Sequence, residues 1–311
     1  MKYISLLILS SVLFFIVGIA ISPYLKKGTS STTITEKRET GYKLINPLLE
    51  CAESELKIDI HLQSVKNKLE DTIKSRHTEE VSVYYRDLNN GPWFGINEET
   101  TFSPQSLLKL PIAMSYYKKA DLDPNLLSSE LTYSEEIPSN RADQPSLELG
   151  KSYSVQSLIE RALVLSDNQA FNMLTNSLSD SEIKKTHDDL GIPFPSATTP
   201  QNFVSVRSYA SLFRVLFNAS YLSWGNSEKI LQLLTTSDFD DGLKAGVPSD
   251  IIVAHKYGIS HSQELKQLHD CGIIYNPNRP YVLCIMTKGT NISEQQKTIQ
   301  ELSKIVFEGL Q

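Results

Sequence analysis

The sequence has 311 residues, of which 40% are hydrophobic and 21% charged, and its formal net charge is −6. This composition is ordinary for a globular protein, and the length is sufficient for one substantial core. Because no long basic run interrupts the acidic balance, nucleic acid is excluded as an expected partner.

The N-terminal segment is the most apolar part of the chain. Tyr3–Leu25 contains no charged side chain and is long enough to cross a bilayer as a helix. A cleavable signal peptide is the alternative, but its apolar region is usually shorter. We therefore predict a transmembrane anchor over 1–25, a flexible tether rich in Thr, Ser, Lys and Glu over 26–41, and one folded domain over 42–311.

Apolar spacing and turn residues predict the elements of the folded domain. A helix is predicted over 45–75, followed by a strand at 81–85, a hairpin turn at 89–91 and a return strand from 92. The middle, from about 104 to 240, is mostly helical by pattern. Strands return at 251–254, 271–275 and 281–286, before a last helix at about 293–309. Strands at both ends and helices between them predict an α+β fold with an antiparallel sheet.

The three cysteines match no zinc or redox spacing, and no other metal or cofactor motif is present. The favoured interpretation is that Cys51, Cys271 and Cys284 are small buried residues. A disulfide between Cys271 and Cys284, which flank a predicted hairpin turn, is the alternative, and it would leave one thiol over.

The first candidate catalytic motif is Ser-x-x-Lys, in which a lysine lies one helical turn after a serine. A lysine whose pKa is lowered by burial could take the serine proton. The motif occurs four times, starting at Ser54, Ser106, Ser115 and Ser181, so at least three copies are incidental. Ser106 is favoured because Pro104 suits a helix start and because Lys109 lies in a strongly apolar stretch.

Two further motifs offer groups for a shared cleft. Ser166-Asp167-Asn168 follows an apolar helix, and its serine and asparagine could point into one cleft, although taken alone it is an ordinary helix N-cap. Lys256-Tyr257-Gly258 follows a predicted strand and offers a cation for a substrate carboxylate, with a glycine that permits close approach. The backbone N–H groups of Ile259 and Ser106 could form an oxyanion hole.

In this order, the three motifs resemble the active-site set of class A β-lactamases and penicillin-binding proteins. The resemblance covers roughly residues 45–311 and implies a β-lactamase/transpeptidase-like fold with its site between a helical lobe and an α/β lobe. It also implies a role for each matching residue. By this resemblance the nucleophile is Ser106, its base Lys109, the proton-shuttling serine Ser166, the substrate-binding groups Asn168, Lys256, Tyr257 and Gly258, and the oxyanion donors the N–H groups of Ser106 and Ile259.

Two departures from the family pattern affect the expected chemistry. The class A glutamate that activates the deacylating water, within Glu-x-x-Leu-Asn, has no counterpart, and Gly191–Pro195 takes the place of its loop. Deacylation is therefore expected to be slow, because a general base is typically worth about 10²–10⁴-fold in rate. Tyr257 stands where the family has Ser or Thr, so carboxylate recognition is expected to differ.

These features lead to three functional hypotheses. The favoured one is a serine hydrolase that β-lactams or related amides acylate at Ser106, and the others are a peptidoglycan D,D-peptidase and a non-catalytic wall-binding or β-lactam-sensing domain. The expected partner is thus a β-lactam or a peptidoglycan peptide, and the chain is expected to be a monomer. Lys26 and Lys27 after the apolar span would place the domain in the cytoplasm, but wall-directed chemistry favours an extracytoplasmic domain on a single-pass membrane anchor.

Overall fold

The computed structural model describes residues 32–38, 41–55, 60–76, 78–89, 91–134, 146–260, 264–277 and 279–310. The chain divides into two compact units, 1–35 with 51–58 and 36–50 with 59–311. The described residues of the first unit belong to strands β1 (Thr32–Arg38) and β2 (Leu48–Glu55), which form a two-stranded sheet. The predicted anchor over 1–25 lies outside the described residues, and none of the described helices is long and apolar enough to span a bilayer.

The helix predicted over 45–75 is wrong in its first part, because residues 48–55 form β2 and the helix begins at Ile60. The pairing partner β1, which lies within the predicted tether, contains the β-branched run Thr32-Thr33-Ile34-Thr35. Such residues favour extended chain, and strand pairing overrides a weak helical spacing of leucines.

A five-stranded antiparallel sheet forms the centre of the second unit. Its strand order is β4-β3-β11-β10-β9, so the first hairpin pairs with the last and the sheet joins distant parts of the chain. The strands are β3 (Glu80–Asp87), β4 (Trp93–Ile96), β9 (Val253–Ser260), β10 (Lys266–Ile274) and β11 (Tyr281–Gly289). Two small sheets pair β5 (Thr101–Phe102) with β8 (Val204–Ser205) and β6 (Glu130–Thr132) with β7 (Ser152–Ser154).

Eight α-helices accompany these strands in the described part of the chain. They are α1 (Ile60–Ser75), α2 (Lys109–Ala120), α3 (Val155–Val164), α4 (Asn168–Asn176), α5 (Asp180–Leu190), α6 (Val206–Phe217), α7 (Trp224–Thr235) and α8 (Ile292–Gly309). Short 3₁₀ turns occupy Gln105–Leu108, Pro124–Ser128 and Leu243–Gly246. The predicted α+β class, with an antiparallel sheet, flanking helices and a helical lobe, is confirmed.

The sheet separates two apolar cores because successive strand side chains point to opposite faces. On β9, Val253 belongs to the core beneath α1 and α8, whereas Ala254 belongs to the core shared with the helical lobe. Helix α2 lies in the core shared with the helical lobe and is buried on nearly all of its sides, which is expected for a helix with few polar positions. Its first residue, Lys109, therefore starts in the protein interior.

The alternative predicted for the cysteines is present in the structure. Cys271 on β10 and Cys284 on β11 are directly opposed in register and form a disulfide, with both residues fully buried. The bond links the two strands that follow β9 in the sheet.

Candidate active site

Ser106 lies in the 3₁₀ turn Gln105–Leu108, which leads directly into α2. The preceding residue, Gln105, has a φ of 51°, a left-handed conformation that non-glycine residues seldom adopt. Such a conformation destabilises the backbone by about 1–3 kcal/mol and persists only where its surroundings enforce it. The turn leaves Ser106 half-buried, so the hydroxyl is accessible at the edge of the core.

Lys109 is the residue that brings the predicted motifs together. Its Nζ lies 2.7 Å from Ser106 Oγ, 2.7 Å from Asn168 Oδ1, and 3.0 and 3.3 Å from the carbonyl oxygen and Oγ of Ser166. The side chain is only 2% exposed. Burial lowers the pKa of Lys109 from 10.5 to about 7, against the opposing effect of the Asp167 carboxylate. Near neutral pH a large fraction of this amine is therefore neutral and able to accept the Ser106 proton.

The turn between α3 and α4 holds Ser166 and Asn168 in place. Ser166 has a φ of 54°, and Asp167 caps α4 by accepting bonds from the N–H groups of Gln169 and Ala170. The other oxygen of Asp167 pairs with Arg161 Nε over 2.7 Å. Asp167 is thus a structural residue of the site, and its place at a helix N-terminus is the sequence signal for that role.

Lys256 approaches the same serine from the sheet. Its Nζ lies 3.1 Å from Ser166 Oγ and 3.0 Å from the Tyr257 carbonyl oxygen, and the side chain is fully buried. Burial and the nearby charge of Lys109 hold the pKa of Lys256 well below its usual value, while Asp270 and Asp238 raise it. The Ser166 hydroxyl therefore lies between two lysine amines.

The predicted position of Lys256 at a strand end is wrong, because β9 continues to Ser260 and Lys256 lies within it. Pairing with β10 accounts for the extension, since Gln267 opposes Ser260 and Cys271 opposes Lys256. The strand is at the edge of the sheet, so one side of its backbone faces away from β10. Ile259 lies on this edge strand, and its predicted role as an oxyanion donor, with the Ser106 N–H, stays a prediction.

Gly258 permits a close approach, although the approaching group is part of the protein itself. A Cβ at this position would lie 2.9 Å from the Pro104 carbonyl oxygen and 3.2 Å from Leu107 Cγ. Real Cβ atoms essentially never come as close as the first distance, and the second is tighter than most contacts, so a glycine lets the nucleophile turn pack against β9. The structure thereby gives Gly258 a role in seating the turn that carries Ser106.

Tyr257 points its ring towards Phe239, on which it stacks with centroids 4.4 Å apart and planes 22° apart. The residue is only 6% exposed. The ring also lies beside the Lys256 amine, with Nζ 4.2 Å from the ring centroid. An aromatic ring, rather than a small hydroxyl, therefore lies beside the Lys256 amine.

The other copies of Ser-x-x-Lys make different contacts. Ser115 Oγ bonds to the Pro111 carbonyl oxygen and Thr186 Oγ1, and the Lys118 amine bonds to the Tyr221 carbonyl oxygen. Lys184 pairs with Asp188 on the exposed surface of α5 rather than with Ser181, and the Ser54 side chain lies outside what the structure describes. Only at Ser106 do the described residues show a lysine amine at the serine hydroxyl.

Comparison with known proteins agrees with this geometry. A family model described as "Beta-lactamase enzyme family" matches residues 64–310, which include every residue of the site. The chain belongs to the β-lactamase enzyme family. One curated relative is β-lactamase VEB-1 from Pseudomonas aeruginosa, which is 24% identical over 272 residues, 77% of this chain and 88% of the relative.

Solved structures share the fold of this chain. A β-lactamase from Chitinophaga pinensis has a TM-score of 0.73 at 19% identity, and the match covers 80% of this chain and all of that one. The structure of PBP-A has a TM-score of 0.70 at 20% identity, over 80% of this chain and 96% of that one. Because these identities are below 25%, the structural similarity establishes the β-lactamase-type fold alone.

The described surroundings of Lys109 in this β-lactamase-family protein contain one nearby carboxylate, that of Asp167, which is engaged with Arg161 and the α4 N-terminus. The Phe171 ring centroid lies 5.5 Å from Lys109 Nζ. Asp188 and Asp189, the acidic residues before Gly191–Pro195, pair with Lys184 and Lys185 on α5.

No group of metal-ligating side chains occurs among the residues that the structure describes. His255, beside Lys256, instead bonds through Nδ1 to the buried Asp270 carboxylate over 2.8 Å.

Proposed function

We propose that Ser106 attacks the carbonyl of a β-lactam or a related amide and forms an acyl-enzyme that is hydrolysed slowly. The observation that carries the proposal is the 2.7 Å contact between Ser106 Oγ and the Lys109 amine, whose pKa is about 7. A base must lie within hydrogen-bond reach of the proton it removes, and it works best when its pKa is near the working pH. Lys109 meets both conditions.

The residues of the site can supply and receive every proton that the acylation step moves. As Ser106 Oγ forms its bond to the carbonyl carbon, its proton passes to Lys109 Nζ. When the carbon–nitrogen bond breaks, the leaving nitrogen receives a proton from Ser166 Oγ, which recovers one from the Lys109 ammonium 3.3 Å away. The Lys256 amine lies 3.1 Å from the same hydroxyl. When this amine is protonated, it stabilises negative charge on Ser166 Oγ.

Slow release follows from the second half-reaction, which needs an activated water. The described contacts of Ser106 and Lys109 include no carboxylate able to serve as its base, since Asp167 is committed to Arg161 and the α4 N-terminus. Loss of a general base slows a step by about 10²–10⁴-fold. Acyl-enzyme should therefore accumulate during the first turnover.

Intact-mass measurement with a penicillin tests the proposal directly. The protein is expected to gain the mass of one penicillin, and Ser106→Ala is expected to gain none. Absence of an adduct on the unaltered protein, or an equal adduct on Ser106→Ala, would reject it. Nitrocefin turnover measured alongside separates slow release from efficient hydrolysis.

A peptidoglycan D,D-peptidase is the second candidate function. The absence of a free carboxylate from the described contacts of Lys109 favours it, because a D,D-peptidase shares the acylation chemistry without that group. Release of D-alanine from a wall pentapeptide at a higher kcat/KM than nitrocefin hydrolysis would support this function. The reverse ratio would support a β-lactamase.

A β-lactam-sensing or wall-binding domain is a third candidate. It is favoured by the stacking of Tyr257 on Phe239, because position 257 then offers no small hydroxyl to bind a carboxylate. This function predicts one acylation event at most and no turnover of any amide or ester. Steady-state turnover of either substrate would exclude it.

The location of the domain is also a proposal. An extracytoplasmic domain held by residues 3–25 is consistent with wall-directed substrates and with the uncharged span in the sequence. Protease treatment of intact cells should digest the domain, and membrane fractions should retain the full-length chain. Recovery of a shortened chain from the medium would indicate a cleaved signal peptide instead.

A further inference from the structure

Ser103, three residues before Ser106, has both of its backbone polar groups bonded to side chains of β10. Its N–H donates to Gln267 Oε1 over 3.0 Å, and its carbonyl oxygen accepts from His269 Nε2 over 2.9 Å. Gln267 is 1% exposed and His269 is fully buried, so water does not compete for these bonds. Two polar side chains in an apolar core are thus used to fix one backbone unit.

The tautomer of His269 is set by its surroundings. Burial lowers the pKa of His269 to about 4, so the ring is neutral near neutral pH, with one donor and one acceptor nitrogen. The Ser103 carbonyl oxygen can only accept, so Nε2 is the donor nitrogen, and Nδ1 lies 3.4 Å from the Thr287 nitrogen. The ring also packs edge to face against Phe102, with centroids 5.4 Å apart.

The turn after Ser103 needs external support because Gln105 is in the left-handed region. Gln105 Nε2 donates to Ser103 Oγ over 2.8 Å, so the side chain of the strained residue is fastened to the residue that β10 holds. At the far end of the turn, the Tyr209 hydroxyl donates to the Leu107 carbonyl oxygen over 2.9 Å. Both ends of the turn that carries the nucleophile are therefore fixed by buried side chains.

We propose that Gln267 and His269 are positioning residues for acylation, which act through Ser103 to keep the Gln105–Leu108 turn in the conformation that places Ser106 Oγ at the Lys109 amine. The proposal rests on the proposed function, since it takes Ser106 as the nucleophile. If it is correct, loss of either side chain misplaces the nucleophile without altering the groups that bind the ligand.

The test uses His269→Leu and Gln267→Met, which remove the bonds to Ser103 at similar side-chain size, and His269→Gln, which keeps an N–H donor near the position of Nε2. A fluorescent penicillin gives the acylation rate constant and the dissociation constant of the non-covalent complex. A displacement of about 1 Å near the reacting atoms can slow a reaction by about 100-fold. We expect the acylation rate constant to fall about 10- to 100-fold in the first two variants with the dissociation constant unchanged, and to recover in His269→Gln.

Ser303→Ala is the matched control. Ser303 Oγ is equally buried and donates to the Leu243 carbonyl oxygen over 2.8 Å, on the opposite side of the sheet. It should lower the melting temperature while the acylation rate constant stays that of the unaltered protein. Should His269→Leu fail to fold, His269→Asn replaces it, because an asparagine is polar but too short to reach the Ser103 carbonyl.

The outcomes separate the two proposals. If the unaltered protein is acylated and folded His269→Leu or His269→Asn and Gln267→Met react at the same rate, the positioning role is rejected and the role of Ser106 stands. If the unaltered protein is not labelled, the proposed function itself fails. Equal losses of rate in Ser303→Ala would show that general destabilisation explains the effect, which also rejects the positioning role.

Discussion

Replacement of Lys109 by methionine is the sharpest test of the site's electrostatics. Methionine keeps the length and apolar stem of lysine and removes the amine. The folded state lowers the pKa of Lys109 from 10.5 to about 7, and one pKa unit corresponds to about 1.36 kcal/mol. Because the side chain is 2% exposed, little discount for solvent is needed, and burial of the charged form destabilises the fold by about 5 kcal/mol.

The sign follows from proton binding. The folded pKa is below the unfolded value, so between about pH 7 and pH 10.5 the unfolded chain binds more protons than the folded one, and stability rises with pH. Below about pH 7 both states are protonated and the full penalty applies. From about pH 7 to about pH 9, Lys109 should add about 2 kcal/mol of stability, a gain that Lys109→Met lacks.

The assay compares the two proteins by guanidinium chloride unfolding at several pH values. The difference in pH dependence is the relevant quantity, because the substitution also removes hydrogen bonds and so changes absolute stability. Parallel pH profiles for the two proteins would refute a lowered pKa for Lys109.

The same pKa governs acylation. The neutral fraction of Lys109 rises about ten-fold from about pH 6 to about pH 8, so the acylation rate should rise by a similar factor and then level off. Lys109→Met should lose about 10²–10⁴-fold in rate. A rate that is flat with pH, or a fast Lys109→Met variant, would show that another group removes the proton.

Three further substitutions test the supports of the site. Gly258→Ala forces its Cβ against the nucleophile turn, so it should destabilise the protein by about 1–3 kcal/mol and slow acylation. The control Gly225→Ala, in open space on α7, should change neither the stability nor the acylation rate. Equal melting temperatures for the two variants would contradict the close approach at Gly258. Tyr257→Thr should lower stability but tighten binding of carboxylate-bearing β-lactams about 10-fold or more, since a hydrogen bond to a charged group contributes about 1.5–3 kcal/mol. Unchanged affinity in titrations would show that the threonine hydroxyl does not bind the carboxylate. Asp167→Ala should destabilise by about 2–5 kcal/mol in denaturant unfolding, because it removes the ion pair with Arg161 and the cap of α4. A change under about 1 kcal/mol would contradict this.

Local signals in the sequence predicted the helices and the first hairpin well, because spacing and turn residues act within a few positions. The same kind of signal failed at Leu48–Glu55, where a partner strand decides the conformation. It also failed at the end of β9, which pairing with β10 extends beyond the predicted limit. Elements fixed by distant partners are not readable from local pattern.

In the candidate site, too, local motifs were predicted from the sequence and distant partners were not. The motifs predicted that Ser106, Lys109, Ser166 and Lys256 meet in one place, and the structure brings them within hydrogen-bond distance. The groups that hold Ser103 were missed, because Gln267 and His269 lie 164 and 166 positions away and form no motif with it.

The same long separation bears on how the protein is made. Ser103 acquires its partners only when the C-terminal hairpin of β10 and β11 joins the sheet, and Lys256 meets Ser166 from 90 positions further along the chain. A chain still emerging from the ribosome therefore contains Ser106 and Lys109 before the rest of the site is in place. Covalent labelling would then occur only on fully synthesised, correctly closed molecules, so a penicillin probe would count folded protein in a mixed population.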